Sequence, residues 1–194
     1  MTTGALAWRL DGRLREVPVD PGAFAAEAER LTDAIRATHS QPRELLAALG
    51  EAAPVLRIAG RLEEAQRAAS AAVALADLLG DRRAAFENQL RLAHAMQWQG
   101  QFALSTPLFD LLVAQARSMG EFRDLLDTAL HHAGLDLFDQ GRLAEAAHCF
   151  REALALREAR GAADLAQVSA AALAAVTDGV ATAFVEKRGV RHGV

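Results

Sequence analysis

Cys149 is the only cysteine in the chain, Lys187 the only lysine, and tyrosine is absent. A lone thiol can close no disulfide within the chain and gives a metal at most one sulfur, which excludes a disulfide framework and a multi-cysteine zinc site and fits a reducing compartment. Aromatic residues make up only 5% of the chain although 52% of it is hydrophobic. No apolar run approaches the roughly 20 residues a membrane helix needs, so no membrane association is expected. Met1 to Leu10 carries Trp8 and Arg9 without a long apolar stretch, unlike a signal peptide. The 21 basic and 25 acidic residues are spread along the chain for a net charge of −4. No basic stripe marks a nucleic-acid footprint, and a cytoplasmic protein with no nucleic-acid partner is expected.

What is present is alanine and leucine, 45 and 28 of the 194 residues. That excess favours helix over sheet and excludes an all-β fold. Gly60, Gly80, Gly100, Gly120, Gly141 and Gly161 recur about every 20 residues, with helix-forming sequence between them and apolar residues three and four apart. Superposing segments about 40 residues apart aligns Leu62, Phe102 and Leu143, then Ala65, Ser105 and Ala146, then Ala69, Phe109 and Phe150, then Ala72, Leu112 and Ala153. Steps of 3, 4 and 3 place each set on one helix face. Seven residues before each internal glycine stands another small residue, Ala53, Ala93 or Gly134, where a close helix crossing is expected.

This small–glycine–alanine–aromatic–alanine order, clearest at Gly134, Gly141, Ala146, Phe150 and Ala153, resembles the tetratricopeptide repeat (TPR) family over roughly residues 42 to 160. Units of 40 rather than about 34 residues are similar to the longer-repeat subgroup of kinesin light chain. The resemblance implies an all-α, right-handed solenoid of antiparallel helical hairpins, with about three repeats and flanking helices. The family's helix-ending proline is missing, and Gly80, Gly120 and Gly161 stand in its place.

The expected organisation is an N-terminal segment and capping helix over 1–40, helical pairs at 41–80, 81–120 and 121–160, and a C-terminal capping helix with a short basic tail over 161–194. Helices are expected at 42–58, 61–79, 82–98, 101–119, 122–139, 142–160 and 162–184. Asp20 and Pro21 form an N-cap and first-turn pair for the capping helix, which ends near Thr38. Pro54 predicts a kink or break in the first repeat, and Pro107, after Ser105 and Thr106, a late helix start. Asp11-Gly12 signals a tight hairpin turn, with a short two-stranded ribbon around it.

No G-x-S-x-G, phosphate loop, dinucleotide glycine motif or HExxH is present. His148 and Cys149 are adjacent, but neighbours on a helix point about 100° apart and cannot readily work as base and nucleophile. Cys149 reads as a small hydrophobe at a helix interface. His94, His131, His132 and His148 lack the convergence a zinc site requires, and a non-catalytic protein without metal or cofactor is expected.

In the family the first helices of successive pairs line the concave surface where partners bind. Carried over by counting from each glycine, the resemblance implies a site at Arg57, Arg91, His94, Gln97, Trp98, His131, His132 and Phe138. Such a surface suits an extended peptide with a carboxylate and an apolar side chain. The family's carboxylate-clamp lysines and asparagines do not occur at the transferred positions. The expected function is that of a scaffold for a protein or peptide partner. Two alternatives are a homodimerisation module, through the nearly uncharged LAQVSAAALAAV segment, and a sensor of a small peptide or metabolite in a regulatory complex.

Overall fold

The structure, a computed structural model, describes residues 6–189, with side chains described as far as residue 178. The chain divides into two compact units, Met1–Leu108 and Phe109–Val194. The basic tail residues Lys187, Arg188, Arg191 and His192 have side chains outside the described set.

The first unit opens with strands β1 (Trp8–Leu10) and β2 (Glu16–Pro18), paired antiparallel with Arg9 opposite Val17. The expected ribbon is present, but its turn is not a two-residue Asp-Gly turn. Asp11 Oδ1 accepts the amides of Arg13 and Arg15 at 2.8 and 2.9 Å. The left-handed residue is Leu14, at φ 60°, and its side chain is buried. Burial of Leu14 and the Asp11 carboxylate thus set a longer loop than the Asp-Gly pair alone would.

Helices α1 (Pro21–Ala37), α2 (Pro42–Ile58), α3 (Leu62–Leu79) and α4 (Arg82–Trp98) follow, and α5 (Phe102–Ser118) crosses the division between the units. Asp20 and Asp81 accept the amides of Ala23 and Ala84, each at 3.0 Å, capping α1 and α4. Gly80 ends α3 at φ +67°, where its own amide bonds Asp77 and the Asp81 amide bonds Ala76. A left-handed stop of this kind satisfies carbonyls the helix would leave unpaired.

Three expectations are corrected. The helix does not break at Pro54, nor does α5 start late: α2 runs to Ile58 and α5 begins at Phe102 with Pro107 inside it. Each proline removes one amide donor, but Ala52, Ala53 and Leu56 are buried around Pro54 and hold both flanks of α2 in place. The chain leaves α5 just before Gly120 as expected, but a 3-10 turn over Gly120–Leu125 intervenes, so α6 (Leu126–Asp139) starts a turn later than expected. That turn buries Phe122 and leads into the buried Leu126. The second unit continues with α7 (Leu143–Ala159) and α8 (Ala163–Gly189).

The core follows the aligned columns. Ala65, Ala69 and Ala72 of α3 lie buried with Leu49, Ala53 and Leu56 of α2, so small side chains on one helix admit larger ones from its neighbour. In the second unit Ala146, Phe150 and Ala153 are fully buried along α7.

Candidate binding seam between α2 and α4

Helices α2 and α4 are first helices of successive hairpins and touch each other. Stepping by three and four residues, α2 presents Arg43, Gly50 and Arg57 and α4 presents Ala84, Asn88, Arg91 and Trp98 to a shared seam. The half of the seam nearer the helix N-termini is a cleft of about 350 Å³, lined by residues that include Arg43, Gly50, Glu51, Glu87, Asn88 and Arg91.

Asn88 is buried and oriented at both ends of its amide. Its Nδ2 donates to the Ala84 carbonyl at 2.8 Å and its Oδ1 accepts Arg91 Nη1 at 2.9 Å. On its other side the Arg91 guanidinium has Glu87 at 3.9 Å. Burial lowers the Arg91 pKa from its ordinary value, against the attraction of Glu87 and Glu51. A half-buried cation solvated mainly by a neutral amide favours an incoming acceptor. Gly50 keeps space for this pair, because a Cβ there would stand 3.2 Å from Asn88 Oδ1.

The other half of the seam is filled. Arg57 makes a two-pronged ion pair with Glu16 of β2, at 2.7 and 3.0 Å, and only 6% of its side chain is exposed. Its guanidinium carbon lies 4.5 Å from the centre of the Trp98 ring, and that of Arg15 lies 5.2 Å from it. Trp98 Nε1 donates to His94 Nε2 at 3.2 Å, which places the acceptor lone pair of His94 on that nitrogen.

In the second unit, Ser169 Oγ accepts Arg157 Nη1 at 2.6 Å and lies 3.1 Å from His131 Nδ1. The serine hydrogen is therefore free to point at the imidazole. Arg157 Nε and Arg160 Nη2 donate to Asp127 Oδ2 at 2.8 and 2.9 Å. Burial, with smaller contributions from His132 and Arg157, holds the His131 pKa well below the ordinary histidine value. His132 stacks on Phe109 with ring centres 6.5 Å apart. Cys149 is partly buried, and burial raises its thiol pKa. Among the described residues no group of three or more His, Cys, Asp or Glu side chains could hold a metal, and no helix is long and apolar enough to cross a membrane.

The structure therefore sorts the expected site residues. Arg57, His94, Gln97 and His131 are buried rather than lining an open surface, because Glu16, Trp98 and Ser169 meet three of them within the chain. Arg91, Trp98, His132 and Phe138 are partly exposed. Arg57, His94 and Trp98 do come together, around the ribbon. Asn88, Arg15, Glu16, Asp127 and Arg157 were missed. The available signal for Asn88 and Asp127 was their place on the packed faces of first helices, where an unexplained polar residue asks for a partner.

Residues 83–159 match the tetratricopeptide repeat family. No curated protein sequence matches the chain. Its fold matches crystal structures of the nearly identical TPR-like repeats of a Podosopora anserina protein assigned as a kinesin light chain. A point variant of that protein superposes with a TM-score of 0.62 at 19% identity, covering 83% of this chain and 80% of the other. The companion structure gives 0.56 at 18% identity, with 82% and 89% covered. Residues 83–159 thus match tetratricopeptide repeats, and the chain shares the all-α repeat-solenoid fold of the TPR-like repeats in those structures.

Proposed function

We propose that the protein is a non-catalytic scaffold whose α2/α4 seam holds an extended segment of a protein partner. Tetratricopeptide repeats generally mediate protein–protein interaction. The observation that carries the finer reading is the Asn88–Arg91 pair, preset at 2.9 Å on the wall of an open cleft. An amide held by its neighbours and a guanidinium with donors to spare suit the carbonyls and carboxylates of an extended chain. Glu51 and Glu87 line the cleft together with Arg43 and Arg91 and make it mixed in charge, which favours a segment bearing both signs. In the second unit His132 and Phe138 are partly exposed.

Affinity capture from native extract with the wild-type protein and with Arg91→Ala tests the seam. Loss of the captured partner in the variant, at unchanged melting temperature, is expected. Arg36→Ala, on an exposed pair with Asp33 outside the seam, serves as the control and retains the partner. The same partner captured equally by wild type and Arg91→Ala would show that the seam is not the binding face. A dimer by light scattering that Arg91→Ala converts to monomer would assign the seam to self-association instead.

A further inference from the structure

We infer that the N-terminal ribbon is a latch: it occupies the far half of the α2/α4 seam in cis, with Glu16 seated on Arg57 and Arg15 over Trp98, and yields that half to a partner segment that brings its own carboxylate. The inference rests on the seam being a binding face, while its test reads the ribbon itself.

The seam is continuous in sequence register but not in occupancy. On α2 the residues run from Arg43 and Gly50 to Arg57, and on α4 from Asn88 and Arg91 to Trp98, in helical steps along one stripe. The first part of the stripe is the open cleft. At its continuation the ribbon lays down Glu16 and Arg15, which contact Arg57 and the Trp98 ring and backbone. The ribbon therefore lies where an extended partner would continue.

Two strands of three residues do not hold themselves together in water, so the ribbon keeps its place through what it touches. What holds it is the buried Leu14 side chain, an ion pair, a guanidinium over an indole, and one Arg15 bond of 3.4 Å to the Trp98 carbonyl. Each is of a kind that a separate segment can reproduce. The receptor they leave behind is specific. Arg57 stays fixed against the Trp98 face at 4.5 Å, with His94 bonded to the indole N–H. A segment covering this half without an acidic side chain would leave the Arg57 charge buried and unmatched, so the exchange selects acidic segments.

The test uses the full chain. Glu16→Arg sets like charges against each other and should free the ribbon, seen as faster trypsin cleavage after Arg9, Arg13 and Arg15 while the helical circular dichroism persists. A labelled peptide of residues 7–19 should then bind Glu16→Arg at least about tenfold more tightly than it binds wild type, and its own Glu16→Gln form should lose about tenfold, as befits a two-pronged charged pair. Absence of peptide binding to Glu16→Arg with its ribbon cleavable, or a ribbon that stays resistant there, would overturn the latch. If Glu16→Arg does not fold, hydrogen exchange of the wild type decides. Amides of residues 9–18 exchanging much faster than those of α2 and α4 support a latch, and equal protection overturns it.

Discussion

The Phe150 ring of α7 lies against the backbone of Gly134 on α6 so closely that a Cβ on that glycine would stand 2.7 Å from Phe150 Cε1. Phe150 is fully buried and has no room to retreat. In an ordinary helix interior, glycine to alanine gains up to about 1 kcal/mol. Here overpacking, typically about 1–3 kcal/mol, acts against that gain. Gly134→Ala is expected to lower the denaturant midpoint, and restoration by Phe150→Leu in the double variant would locate the clash.

Gly50 offers the opposite case. The atom a new Cβ would meet at 3.2 Å is a side-chain oxygen of Asn88, which can shift. Gly50→Ala is therefore expected to match or slightly exceed wild-type stability while disturbing the Asn88–Arg91 pair. Partner capture should weaken without any loss in melting temperature.

Asp127 and Arg157 form an ion pair in which each side chain is only 3% exposed. Asp127→Ala removes the acceptor of both Arg157 and Arg160. Leaving the buried guanidinium unpaired should cost about 3–5 kcal/mol by chemical denaturation. Replacing the pair together, as Asp127→Leu with Arg157→Met, should cost much less, because no charge is stranded.

His131 makes stability depend on acid. Its pKa is lower folded than the usual 6.5, so the folded state binds fewer protons than the unfolded one as pH falls. Its contribution is fully present above the unfolded value and declines from there toward the folded value. Glu27, Glu64 and Glu145 have carboxyl pKa values held down by arginine hydrogen bonds and act at lower pH. Wild type should therefore lose denaturant midpoint as pH falls below about 6.5, and His131→Gln should flatten that slope. An unchanged slope would assign the acid dependence elsewhere.

The helices and their packed faces were legible because they depend on local spacing. Ala65, Ala69 and Ala72 recur at steps of four and three, and all are buried as those steps require. Repetition 40 residues later displayed the same requirement at Ser105, Phe109 and Leu112, which are buried as well. The start of α6 was placed too early because spacing records where a glycine falls and not the turn that follows it. Burial of Phe122 chose a 3-10 turn instead.

By itself the sequence determined the all-helical class, the hairpin repeat and the small-residue crossings, since helix period and residue volume are properties of neighbours along the chain. Tertiary structure alone decided which polar residues on those helices stay accessible. Glu16 and Arg57 are 41 positions apart, and Ser169 and His131 are 38 apart. No local period links them, so only folding shows that Arg57 and His131 are already satisfied within the chain and that Arg91 beside Asn88 still lines an open cleft.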